Sequence, residues 1–228
     1  MMLQTLQQNV EAVQKEVEQA CKCSDRPLDD VTVICVTKSV DSETTKQVVD
    51  LGYDHLAENR MENLIEKQDY LKEYRQIKWH FIGNLQRRKV KSIINQIDYF
   101  HALDKLSLAQ EIQKRAMKRI KCFVQVNVSG ESTKQGISPE SLINFIKDLE
   151  DFDRIEVVGL MTMAPFDSNL NELSHYFSQL KILQTIIANK NFKHAPCTEL
   201  SMGMSRDFVP AIECGATFVR IGSRFFKS

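Results

Sequence analysis

The chain has 228 residues, 43% hydrophobic and 26% charged, with 30 Lys and Arg set against 30 Asp and Glu. Such a composition excludes a disordered or fibrous chain, and zero formal net charge gives no global pull toward nucleic acid or anionic lipid. No apolar run approaches the length of a membrane span.

Leu3, Leu6, Val10, Val13 and Val17 recur three or four residues apart, which predicts an amphipathic N-terminal helix. The run Val31-Thr-Val-Ile-Cys-Val-Thr37 is β-branched and apolar throughout, as a strand buried on both faces of a parallel sheet must be. Asp41 is placed to cap a helix running toward Leu51, with Gly52 at its exit. Further short strands are expected at 55–57, 79–82, 99–102, 122–128, 155–161, 200–202 and 216–221, with helical patterns between them. One pattern opens with Ser138-Pro139-Glu140, a cap followed by proline at the first helical position; another runs from 205 to 214 and stops at Gly215.

About eight strand–helix units, one every ~25–30 residues, imply parallel strands with right-handed crossovers. No Pro/Gly/Ser-rich linker divides residues 1–228. The expectation is therefore a single α/β domain, a closed (β/α)8 TIM barrel with an extra N-terminal helix. The helix would cover the gap left where the last strand ends near Ile221. An open doubly wound sheet is the alternative, but Thr37-Lys38-Ser39-Val40 replaces the usual glycine fingerprint after the first strand.

Six cysteines are scattered along the chain, and only Cys21-Lys-Cys23 is closely spaced, with no second pair or histidine to complete a zinc set. Free thiols in a reducing compartment are expected. The N-terminus lacks a basic region followed by a continuous apolar one, so no signal peptide is read and the expected location is cytoplasmic.

In such a barrel the working groups sit at the C-terminal ends of the strands, and phosphate commonly binds after strands seven and eight. Lys38 ends strand one. Alone it reads as a surface lysine reaching water; at a barrel mouth, stripped of water, it becomes a nucleophilic amine suited to a Schiff base. Ser201, Gly203 and Ser205 fall at the seventh junction, where a helix starting near Ser205 would add free amides to an anion site; a capped helix start without a ligand is the plainer reading. Gly222 and Ser223 repeat this chemistry at the eighth. Arg220, inside an apolar strand, requires an acceptor within reach. Closure makes strands one and eight neighbours, so Lys38 and Arg220 should face one cavity. A ligand with an aldehyde, an aromatic acceptor nitrogen and a phosphate would engage all of these groups, and pyridoxal 5′-phosphate carries them.

Val36-Thr-Lys38, Ala57-Glu-Asn59, Trp79-His-Phe-Ile-Gly83 with Leu85-Gln86, Gln125-Val-Asn-Val-Ser129 with Lys134-Gln-Gly-Ile137, Gly159-Leu-Met161, Leu200-Ser-Met-Gly-Met-Ser205 and Val219-Arg-Ile-Gly222 follow one another in order. Over nearly its whole length the chain resembles the YggS/PROSC family of pyridoxal phosphate homeostasis proteins. It departs from the family at Ala57, Arg60 and Arg88 and in the ending Arg224-Phe-Phe-Lys-Ser228. The resemblance implies that Lys38 is the aldimine lysine, that Asn59 lies near the cofactor ring, and that Arg220 faces the pyridine nitrogen. It also implies that Ser201, Gly203, Ser205, Gly222 and Ser223 form the phosphate loops.

An arginine at the ring nitrogen donates to an unprotonated acceptor and weakens the ring as an electron sink. The arrangement resembles alanine racemase, whose second domain and opposing tyrosine find no counterpart segment here. His80 is the best-placed base among five histidines and five tyrosines, but within Trp79-His-Phe81 it reads as a packing residue. The expected role is to hold pyridoxal 5′-phosphate and hand it to enzymes that require it, affecting vitamin B6 and amino-acid balance, as a monomer without nucleic-acid or membrane partners. A weakly active PLP-dependent racemase is the alternative. A third reading takes the basic cluster Gln86-Arg-Arg-Lys-Val-Lys91 as a docking face for acidic partners or RNA, against the plainer one of a solvated helix face.

Overall fold

The computed structural model describes residues 2–131 and 134–227, with side chains from Thr5 onward. Eight parallel strands close in sequence order into a barrel. They are β1 (Thr32–Val36), β2 (His55–Glu58), β3 (Lys78–Phe81), β4 (Tyr99–Leu103), β5 (Ile120–Gln125), β6 (Ile155–Met161), β7 (Glu199–Met204) and β8 (Phe218–Ile221). All eight expected strands form, and β1 pairs with β8 so that Ile34 lies opposite Arg220. Apolar side chains fill much of the sheet: Ile34, Leu56, Phe100, Phe123 and Leu200, on β1, β2, β4, β5 and β7, are fully buried.

The helices are α1 (Met2–Cys23), α2 (Ser42–Asp50), α3 (Met61–Tyr70), α4 (Val90–Ile93), α5 (Leu106–Arg115), α6 (Leu142–Lys147), α7 (Leu170–Ala188), α8 (Phe208–Glu213) and α9 (Ser223–Phe226). Asp41 caps α2 by accepting the Thr44 N–H at 2.8 Å, and Gly52 follows the helix at φ +99°. As expected, α1 covers the barrel beside short α9, packing on α8 and α9. It buries Leu6, Val10, Val13 and Val17, each worth about 1.5–3 kcal/mol when fully removed from water. The Leu3 side chain lies outside the described residues. Asn9 ties α1 to the chain end by donating to the carbonyls of Phe225 and Lys227.

Two local expectations are corrected. The helix expected from 205 begins only at Phe208. Strand β7 runs on to Met204, Gly203 turns at φ +90°, and the Asp207 carboxylate accepts the Met204 N–H at 2.5 Å, so 205–207 form a turn. Pro139 opens a 3-10 turn at Pro139–Ser141, and α6 follows from Leu142. Ser138 makes no cap there; its hydroxyl bonds that of Ser141 at 3.1 Å.

Gly159, inside β6, is explained by close approach: a Cβ there would run into the Glu199 carbonyl of β7. The cysteines are all free; burial pushes the Cys197 thiol up to about 12 and those of Cys35 and Cys122 higher still. Among the described residues no helix is long and apolar enough to cross a membrane.

Candidate cofactor-binding site

A cavity of about 1610 Å³ opens at the C-terminal ends of the strands. Its wall includes six of the eight residues chosen from the sequence: Lys38, Asn59, Ser205, Arg220, Gly222 and Ser223. Ser201 and Gly203 are not part of it.

Lys38 follows β1 and stands on a stiff base. The Thr37 carbonyl accepts from Lys67 Nζ of α3 at 2.6 Å, and the Thr37 hydroxyl donates to Glu58 Oε1 at 2.6 Å. The same Glu58 oxygen accepts from Lys67 at 2.6 Å. Thr37, Glu58 and Lys67 are all buried, and among the described residues Glu58 Oε2 has no hydrogen-bond partner. Lys38 itself is exposed. The expectation of an amine stripped of water is not met in a cavity this wide and open. Asn59 lies beside it, with Gly83 so close that a Cβ would run into the Asn59 carbonyl.

Arg220 reaches the cavity from β8. Its Nη1 donates to Ser201 Oγ at 2.6 Å and its Nη2 to the Thr162 carbonyl at 2.9 Å. Only 4% of the residue is exposed. Burial pulls its pKa down to about 10, with Asp207 acting in the opposite sense, so the guanidinium stays charged at neutral pH. Both acceptors are neutral. A buried cation whose hydrogen bonds, among the described residues, go to neutral oxygens is suited to an electron-rich ligand atom.

The phosphate-loop expectation divides. Ser205 Oγ accepts the Gly222 N–H at 3.1 Å, tying the seventh loop to the eighth. Gly222 passes so close to β1 that a Cβ would meet the Val36 carbonyl at 2.9 Å. Ser223 is exposed at the mouth. Ser201, by contrast, is fully buried inside the barrel, its hydroxyl held between Arg220 and His101. Gly203 serves packing: a Cβ would lie 2.6 Å from that of Ala211 on α8.

His80 also lies off the cavity. It is fully buried on the barrel axis, within 2.8 Å of His55 on one side and His101 on the other. The sequence reading missed His55 and His101, although three consecutive strands, β2 to β4, each carry one histidine. It also assigned no role to Thr162, or to Lys134 in the motif Lys134-Gln-Gly-Ile137, which the structure places on the cavity wall. The basic cluster after Gln86 is a 3-10 turn leading into α4. There Arg88 bonds Gln86 and Lys89 pairs with Glu62 at 3.4 Å.

The family model for the alanine racemase N-terminal domain matches residues 2–228. The pyridoxal phosphate homeostasis protein of Aquifex aeolicus is 36% identical over 217 residues, 94% of each chain. The human protein of the same name is 33% identical over 229 residues, 94% of this chain and 83% of that one. Among solved structures, PipY of Synechococcus elongatus with PLP bound superposes with a TM-score of 0.82 at 27% identity, covering 92% of this chain and 99% of that one. Barrel and relatives agree: the chain belongs to the pyridoxal phosphate homeostasis protein family, within the alanine racemase N-terminal domain family.

Proposed function

We propose that this protein holds pyridoxal 5′-phosphate in the cavity and gives it up to enzymes that require it. The observation that carries the reading is that Lys38 and Arg220, brought together by closure of β1 on β8, line one cavity. When bound, the cofactor supplies an aldehyde, a hydrogen-bond-accepting ring nitrogen and a phosphate. Lys38 is the amine placed to capture the aldehyde, and Asn59 borders the ring. Arg220, charged and buried, donates to the nitrogen without releasing a proton. Ser205, Gly222 and Ser223 form the phosphate end, where short side chains and a close backbone leave room for an anion.

Two features support holding over turnover. Among the described residues the cavity wall carries no histidine or tyrosine to act as an opposing acid or base. Arg220 also keeps the ring a weak electron sink. The cavity exceeds the usual ~300–1,000 Å³ of a small-ligand site, which suits a cofactor that must leave again. We read the chain as one domain, acting as a monomer in the cytoplasm.

Purified protein incubated with PLP should turn yellow, and borohydride should fix the cofactor's mass on the peptide containing Lys38. Lys38→Ala should fix none. A wild-type protein that stays colourless overturns the reading.

A further inference from the structure

We propose that Ser201, His101, His80 and His55 are positioning residues for Arg220, forming a file of hydrogen bonds of one fixed direction that aims its guanidinium at the cavity. The file runs down the barrel. Arg220 Nη1 lies 2.6 Å from Ser201 Oγ, Ser201 Oγ 2.9 Å from His101 Nδ1, His101 Nε2 2.8 Å from His80 Nδ1, and His80 Nε2 2.8 Å from His55 Nδ1.

The chemistry of the first member sets every bond. A guanidinium only donates, so Ser201 accepts from it. Among the described hydrogen bonds the Ser201 hydroxyl has one other partner, His101, and its proton goes there. His101 must then be bare at Nδ1 and protonated at Nε2, from which it donates to His80. His80 repeats the pattern toward His55. Reversing the file would leave the buried Ser201 proton without an acceptor, at the cost of an unmade hydrogen bond.

The surroundings keep the interior members neutral and fixed. His80 stacks on Tyr99 at 4.4 Å and 4°, and His101 on Phe123 at 4.4 Å. Burial holds both imidazoles well below their usual pKa, His101 further discouraged from charging by Arg220. His80 otherwise faces the Phe218 ring and the two flanking imidazoles. His55, at the half-buried far end, faces Asp54 and Asp98 on the acidic side, Lys78 and Lys121 on the basic side, and the rings of Tyr99 and Phe218. The only basic nitrogen left to His55 is the one His80 occupies.

What Arg220 meets in the cavity rests on the cofactor reading above; the direction of the file does not. Long-range 1H–15N correlation on 15N-histidine-labelled apoprotein at pH 7 should show His55, His80 and His101 neutral and protonated at Nε2. An Nδ1–H tautomer or an imidazolium at His80 or His101 overturns the proposal. His101→Phe keeps the stacking and removes both bonds, and should weaken PLP binding about tenfold, with His101→Gln, which accepts and donates, recovering most of it. Ser201→Ala removes one hydroxyl, so it tests the idea even if His101→Phe fails to fold. It should weaken binding similarly and let His101 populate both tautomers. Affinity within about twofold of wild type in Ser201→Ala, with unchanged tautomers, overturns the proposal. Wild-type protein that binds no PLP overturns the functional reading instead, and the tautomers of the apoprotein then decide the file.

Discussion

Two buried polar regions flank the cavity, and they solve the same problem in opposite ways. Beneath Lys38 the barrel buries full charges, Lys67 against Glu58, with Thr37 bonded to both. Along the axis it holds two buried imidazoles, a half-buried third and a buried hydroxyl, none of them charged, with the Arg220 cation at the cavity end. A buried charge depends on its partner's presence. A buried neutral imidazole depends on the proton's absence. The first region should therefore be vulnerable to one-sided substitution and the second to acid.

The largest effect is expected from Lys67→Met, which leaves Glu58 buried without its cation. Loss of a partner in such a pair typically costs about 3–5 kcal/mol. Urea unfolding should report it, and Lys67→Met combined with Glu58→Gln should recover a substantial part. A single variant as stable as wild type would show that the pair does not carry the β1–β2 rim.

Acid should act next. The folded pKa values of His80 and His101 lie below the unfolded value near 6.5. At neutral pH neither state is protonated at these sites. As pH falls below about 6.5 the unfolded chain takes up protons that the folded chain refuses, so stability falls with pH. The slope reaches at most about 2.7 kcal/mol per pH unit for the two residues together, and flattens once the folded state itself protonates. Denaturation midpoints at several pH values between 7 and 5 would test this. A midpoint unchanged over that window would mean that the interior histidines take up protons in the fold as readily as in the unfolded chain.

The smallest effect calibrates both. Ser205→Ala removes the partly exposed acceptor of the Gly222 N–H, a neutral bond worth about 0.5–1.5 kcal/mol. Stability should fall by no more than that, while PLP retention falls because the seventh and eighth loops are no longer tied. Equal retention would place the phosphate elsewhere in the cavity.

The barrel itself was legible because its determinants are local. A β-branched run such as 31–37 needs no knowledge of the rest of the chain to be read as a strand, and Asp41 with Gly52 brackets α2 by its own chemistry. Lys38 and Arg220 were legible through one topological rule, that closure makes the first and last strands neighbours. Ser201 was misplaced because proximity in sequence grouped it with Ser205. Gly203, at φ +90°, shifts the strand's register between them, and one hydroxyl goes to the axis while the other goes to the cavity. The file of histidines was invisible for the opposite reason. His55, His80 and His101 are 25 and 21 residues apart, and nothing short of a closed sheet tells that their rings will touch.

Arg220 closes the upper end of that file with a group that does not surrender its hydrogens near neutrality. For charge to pass from the cavity to the opposite mouth, either the guanidinium would have to be neutralised or an alkoxide left at Ser201. The column of imidazoles down the barrel is thus wired for orientation and insulated against current. A reactive aldehyde held at one end is shielded from protons arriving through the floor.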